Sequence, residues 1–251
     1  MPRERIVFPY QDPIDVGELL NLDQELVLSA REIIELLDSQ LTEQRRERID
    51  YVVSERTYSV VPVMEGLHDL GNVAAVLRSA EGMGYQAAHV IDTQSSHKTS
   101  QRITQGADKW MDLVRWNRSQ PCIDHLKKSG YQIVATHLDA DMELENIDFS
   151  QPTALVFGNE LEGISDEMME QADARCVIPI CGFVQSFNIS VAAAVSLYEA
   201  MRQRIDRLGA QGDLDPEQQQ ILRAHFYIRA ANQSRRLLPL LWKRSPAQES
   251  S

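Results

Sequence analysis

"CGFVQSFNISVAAAVSLYEA", Cys181 to Ala200, reads as two things at once. Its second half, with Val191, Ala192, Ala193, Ala194 and Val195, is small and apolar, as a helix packed closely on other elements should be. Its first half places two amides and two hydroxyls, Gln185, Ser186, Asn188 and Ser190, around Phe187 at the mouth of that helix. The first amides of a helix need acceptors, and a Ser or Asn cap supplies one. One cap accounts for one of these residues. The surplus points to a ligand.

Outward from this segment the chain alternates between two periods. "ARCVIPI" just before it is a short β-branched run, hence a strand, and "ISDEMMEQAD" before that is a helix. Further back, "YSVVPVME", "AAHVID", "MDLVRW", "YQIVATHL" and "TALVFG" read as strands. "GNVAAVLRSAEGMG", "SQRITQGADK" and "CIDHLKKSG" read as helices between them, and the acidic "DADMELENIDFSQP" as a loop. Strands alternating with helices predict an α/β domain with a mainly parallel sheet over residues 57–208, closed by a long Ala-rich helix from Ser190 to Leu208. Residues 1–56 form an expected helical N-terminal extension, with Leu and Ile at three- and four-residue spacing from Val16 to Ile49. Residues 209–251 form an expected C-terminal extension, "GAQGDLDP" being a linker and "EQQQILRAHFYIRAANQSRRLLPLLW" one basic amphipathic helix.

In open parallel sheets ligands settle beyond the carboxyl ends of strands. Three such exits carry unusual residues: Asn72 and Arg78 after the first strand, "GNELEG" with Glu160 after "TALVF", and the opening segment after "VIPI". Each has a plain alternative. Asn72 fits an ordinary N-cap, Arg78 a surface cation, Glu160 an exposed turn, and Ser186, Asn188 or Ser190 a helix cap. No G-x-G-x-x-G follows the first strand, and there is no Walker loop and no G-x-S-x-G elbow. The six histidines show no metal-ligand spacing, so no metal is expected.

Composition bounds the class. With 43% hydrophobic and 25% charged residues the chain is that of a soluble globular protein. It has no apolar run long enough to span a bilayer, and "MPRERIVFPYQDP" does not read as a secretory signal. Cys122, Cys176 and Cys181 make an odd count without C-x-x-C spacing, which favours a reducing, cytoplasmic setting. The net charge of −12 conceals an asymmetry, since residues 201–251 carry 9 Lys/Arg against 5 Asp/Glu. A local basic patch of that kind serves phosphate binding.

Taken together, "NVAAVLRSAEGMG", "LVFGNELEGIS" and "IPICGFVQSFNISVAAAVSLYEA" resemble the three ordered motifs of the SpoU/TrmH family of the SPOUT superfamily, RNA 2′-O-ribose methyltransferases that use S-adenosylmethionine. The likeness runs from Arg56 to Arg207 and continues more weakly through the tail. "ATHLD" at Ala135–Asp139 is similar to the tRNA guanosine branch. Two features depart from that branch: Gly71 stands where a histidine is expected, and the acidic N-terminal extension is longer than in compact members.

The resemblance implies a SPOUT-type sheet with a deep C-terminal trefoil knot, and a homodimer. It implies S-adenosylmethionine bound by Thr136, Gly158, Ile178 and Phe187, and catalytic roles for Asn72, Arg78, Glu160, Ser186 and Asn188. The implied substrate is tRNA at guanosine 18 of the D-loop. A ribosomal RNA ribose, or a non-catalytic RNA-binding module, is the alternative.

Overall fold

A computed structural model describes residues 8–67, 69–92, 109–140, 142–159 and 161–244. They divide into two compact units, one built from residues 8–55 with 214–244, the other from residues 56–213.

The first unit opens with β1 (Ile14–Asp15), α1 (Val16–Leu19), β2 (Val27–Leu28), α2 (Ala30–Leu37) and α3 (Glu43–Ser54). Leucine spacing predicts one continuous helical stretch here, and local hydrogen bonding breaks it. Asn21 turns the chain with φ of 49°, so β1 and β2 pair antiparallel on either side of α1. Ser29 and Glu32 then form a reciprocal capping box that starts α2 afresh, the Ser29 amide donating to the carboxylate at 2.8 Å. Thr42 accepts from the Arg45 amide to start α3.

The second unit carries β3 (Val60–Glu65), α4 (Leu70–Gly82), β4 (Ala87–Ile91), β5 (Asp112–Trp116), α5 (Ser119–Lys128), β6 (Gln132–Thr136), β7 (Met142–Glu143), β8 (Thr153–Phe157), α6 (Asp166–Gln171), β9 (Ala174–Val177) and α7 (Ile189–Leu208). Its seven-stranded sheet has the order β5-β4-β3-β8-β6-β9-β7, and every pairing is parallel. β3, β4 and β8 are buried along their whole length, which is why they read as unbroken apolar runs. Val60, Met64, Leu155 and Phe157 join Val73, Val76 and Leu77 of α4 and Ala193, Leu197 and Ala200 of α7 in one core. α5 packs with α6. The "DADMELENIDFSQP" stretch, expected as a loop, holds the edge strand β7, and it buries Leu144, Ile147 and Phe149. "SQRITQGADK", expected as a helix, lies outside the described residues apart from Lys109, which sits in a turn.

The chain grows outward from β3 through β4 to β5, then returns to β6 on the other side, and β8 enters between β3 and β6. That reversal opens a crevice at the carboxyl ends of the central strands. Beyond α7 the unit continues to Asp213. Arg204, only 1% exposed, donates to the Asp213 carboxylate at 2.7 Å. The same carboxylate accepts from the hydroxyls of Thr57, at 2.9 Å, and Ser59. A buried cation persists only with such partners, so the segment after α7 is pinned to the start of β3.

The tail returns to the helical unit as α8 (Pro216–Ala230) and α9 (Ser234–Lys243). The single helix expected from the sequence is interrupted where Gln233 takes a left-handed conformation, φ 59°. α8 starts on an Asp215–Gln218 capping box with Pro216 in its first turn. Its buried face, including Ile221, Leu222, Phe226 and Ile228, is covered by α2 and α3. Arg223 pairs with Asp50 at 2.9 Å. The described residues of this unit hold 10 Lys/Arg against 14 Asp/Glu, so the positive charge of the tail is offset within its own unit. α9 remains locally basic, with Arg235, Arg236, Lys243 and Arg244 exposed.

Candidate functional site

The carboxyl ends of β6, β8 and β9 open onto a cavity of about 330 Å³, within the ~300–1,000 Å³ usual for small-molecule sites. Thr136 ends β6 and lines it. The Thr136 hydroxyl is turned into the sheet, donating to the Val156 carbonyl at 2.9 Å. Gly158 follows β8 and also lines the cavity. A Cβ there would lie 2.3 Å from the carbonyl carbon of Gly163 and 2.4 Å from the Ile164 nitrogen, so two stretches of backbone meet at a distance only glycine permits.

The turn between them is tightly bonded. Asn159 and Gly163 exchange two backbone hydrogen bonds of 2.9 Å each. The Asn159 side chain is buried. Its amide donates to the Gly66 carbonyl at 2.7 Å, and its oxygen accepts from the Leu161 and Glu162 amides at 2.7 and 3.2 Å. Gly163 has φ of +73°, which a side chain resists.

The third wall is the connection from β9 to α7, which contributes Ile178, Ile180, Ser186 and Phe187. Asn188 caps α7, its oxygen accepting from the Ser190 amide at 2.9 Å. Its remaining amide donates to the Asn72 oxygen at 3.3 Å, across 116 positions of sequence. One cap is thus Asn188. Ser186 lines the cavity instead, while the Ser190 hydroxyl donates to the Asn188 oxygen at 2.6 Å.

Asn72 is not the cap of α4. Asp69 is, accepting from the Gly71 amide at 2.7 Å, and the Asn72 side chain, in the first turn, accepts from Asn188. Arg78 lies further along α4, exposed, outside the cavity lining and without a hydrogen-bond or ion-pair partner among the described residues. Glu160 lies outside the described residues.

Two residues of this region escape a reading of the sequence. Asn159 sits within "GNELEG", but its burial cannot be read from spacing. Glu65 ends the apolar run "VVPVME", and a lone acid there is the one available signal. Cys176 lies in the cavity wall, and burial pushes its thiol up to about 12, so it stays protonated and behaves as a small apolar group. Backbone groups of irregular loops, apolar side chains, the Ser186 hydroxyl and two ionisable residues, His137 and Glu162, make a wall suited to holding a small organic molecule. Among the described residues no cluster of His, Cys, Asp and Glu could hold a metal ion, and no helix is long and apolar enough to cross a membrane.

Residues 59–198 match the model of a family described as the SpoU rRNA Methylase family. The tRNA (guanosine(18)-2′-O)-methyltransferase of Borreliella burgdorferi is 33% identical over 195 residues, 77% of this chain and 89% of that protein. A crystal structure of the A. aeolicus TrmH/SpoU tRNA modifying enzyme superposes with a TM-score of 0.65 at 31% identity, covering 76% of this chain and 98% of that one. The SpoU methyltransferase AviRb from Streptomyces viridochromogenes, crystallised with AdoMet, gives a TM-score of 0.53 at 28% identity, covering 58% and 60%.

Proposed function

This chain belongs to the SpoU rRNA methylase family, and from that premise we propose that it transfers a methyl group from S-adenosylmethionine to the ribose 2′-hydroxyl of guanosine 18 in tRNA. The observation that carries the proposal is the cavity at the exits of β6, β8 and β9, in a chain that covers 89%, 92% and 95% of three relatives carrying that activity in their names. The cavity fits the cofactor: its volume accommodates a compact conformer, and its apolar wall with loop backbone suits an adenine and a sulfonium. Thr136, Gly158, Ile178 and Phe187 would hold it. When bound it supplies an electrophilic methyl group.

The work of the protein is then positioning and electrostatics. Holding acceptor and donor in attack geometry converts a bimolecular step into an effectively unimolecular one, worth up to about 7–11 kcal/mol. A guanidinium stays charged near neutrality, so Arg78 would grip the acceptor's phosphate and stabilise the negative charge that develops on the 2′-oxygen as its proton passes to solvent water. Its exposure and its lack of an internal partner among the described residues support this role. The Asn188–Asn72 bond joins the cap of α7 to the first turn of the helix that carries Arg78. Asn72, Asn188, Ser186 and Glu160 orient the ribose.

The proposal includes a trefoil knot, supported by β8 and β9 each entering between strands laid down earlier in the chain. It includes a homodimer, supported by the exposed Val191, Val195 and Tyr198 on one side of α7, with Phe183 and Val184 exposed just before it. It treats residues 8–55 with 214–244 as an accessory helical module whose exposed α9 cations meet RNA phosphates. A tRNA substrate supports a cytoplasmic location.

The test is labelled-methyl transfer to an unmodified tRNA transcript. Label is expected at guanosine 18 and absent when that nucleotide is 2′-deoxy, and Arg78→Ala is expected to abolish transfer while cofactor binding survives. Label confined to ribosomal RNA, or no transfer to any RNA, would refute the proposal.

A further inference from the structure

We infer that Glu65 is a positioning residue for the cofactor cavity, acting through Ser165, an inference that rests on the reading of that cavity as the S-adenosylmethionine site. Glu65 ends β3 and is 2% exposed. Its carboxylate accepts three hydrogen bonds: from the Ser165 amide at 2.9 Å, from the Ser165 hydroxyl at 2.8 Å, and from the hydroxyl of Ser119. Removing a carboxylate from water costs several kcal/mol, and a well-packed apolar residue commonly serves stability as well or better. A buried acid with three hydrogen-bond donors aimed at it therefore calls for a positional explanation.

The neighbouring residue supplies it. The Gly66 carbonyl accepts from the buried Asn159 side chain at 2.7 Å. Two consecutive residues at the exit of β3 thus hold both ends of the turn after β8, Asn159 at its start and Ser165 at its finish. Between those anchors, Gly163 and Ile164 line the cavity, with the Gly158 backbone pressed against them. The same strand exit leads through the Asp69 cap into α4, which carries Asn72 and Arg78. One buried carboxylate therefore references the cavity wall to the strand that launches the catalytic helix. If Ser165 shifts, Gly163 and Ile164 shift with it.

Ser119 provides an internal control. It bonds the same carboxylate, but it belongs to α5, no residue of which lines the cavity. The experiment measures S-adenosylmethionine affinity by calorimetry, and thermal unfolding, for the full chain and four variants. Glu65→Gln and Ser165→Ala are expected to weaken binding by about tenfold or more. Ser165→Thr, which keeps both donors, is expected to bind as the wild type does. Ser119→Ala removes a hydroxyl bond to the same carboxylate without the loss of the α6 cap that accompanies Ser165→Ala, and is expected to lower the melting temperature by less while leaving affinity within about twofold. Wild-type affinity in Glu65→Gln and Ser165→Ala, or equal weakening in Ser119→Ala, overturns the inference while wild-type binding leaves the parent reading standing. Absence of binding by the wild-type chain removes both.

Discussion

Replacing Gly158 with alanine adds one methyl group, and the geometry says where it must go. The new Cβ would sit 2.3 Å from Gly163 C, 2.4 Å from Gly163 O and 2.4 Å from Ile164 N. Ordinary contact begins near 3.4 Å, so one backbone stretch must retreat by about 1 Å, and all three obstructing atoms are backbone. Overpacking of this kind costs about 1–3 kcal/mol. The retreat also strains the two Asn159–Gly163 hydrogen bonds, each worth about 1 kcal/mol. The expected total is about 2–4 kcal/mol of stability, together with at least tenfold weaker S-adenosylmethionine binding, since Gly158, Gly163 and Ile164 all line the cavity. Urea unfolding gives the first quantity and calorimetry the second. Gly82→Ala is the matched control: nothing lies within 4 Å of its Cβ, it ends α4, and alanine there should be neutral or stabilising by up to about 1 kcal/mol. Gly158→Ala with wild-type stability and affinity would refute the close-approach argument.

Acid should destabilise the sheet unit through His89, which is buried between β4 and α5 and accepts from the Trp116 indole at 2.9 Å. Burial, then the charge of His125, holds its pKa down at about 4, against an ordinary value of 6.5. As pH falls through 6.5 the unfolded chain takes up a proton that the folded chain refuses until about 4, so stability present above 6.5 drains away across that window, by up to about 3 kcal/mol. His89→Asn, which can still accept from Trp116, should show a shallower fall in urea midpoint between pH 7 and pH 4; parallel curves would contradict the assignment. Val195→Asp, on the exposed side of α7, should convert a homodimer to monomer in sedimentation velocity, and an unchanged dimer would move the interface elsewhere.

The alternation of strands and helices was legible because a parallel sheet buried on both faces demands continuous apolar runs at β3, β4 and β8, and helices need a 3.6-residue stripe. The polar surplus at Ser186 was legible because a helix mouth uses one cap, here Asn188. The N-terminal stretch misled for a local reason: Leu and Ile spacing continues across Ser29 and Thr42, whose side chains restart the helix each time. The tail misled for a non-local one. Its charge balance reads as locally basic, yet α2 and α3, some 170 residues earlier in the chain, cover its apolar side and offset that charge.

By itself, then, the sequence determined the main strands and helices of the sheet unit, where their strand exits fall, and which residue types stand there, because these follow from short-range sterics and burial periodicity. Tertiary structure alone decided that Asn72 meets Asn188, that Glu65 holds Ser165 from 100 positions away, and that residues 8–55 and 214–244 form one unit. Contacts of that kind depend on strand order, and strand order is set by which buried faces match across the whole chain.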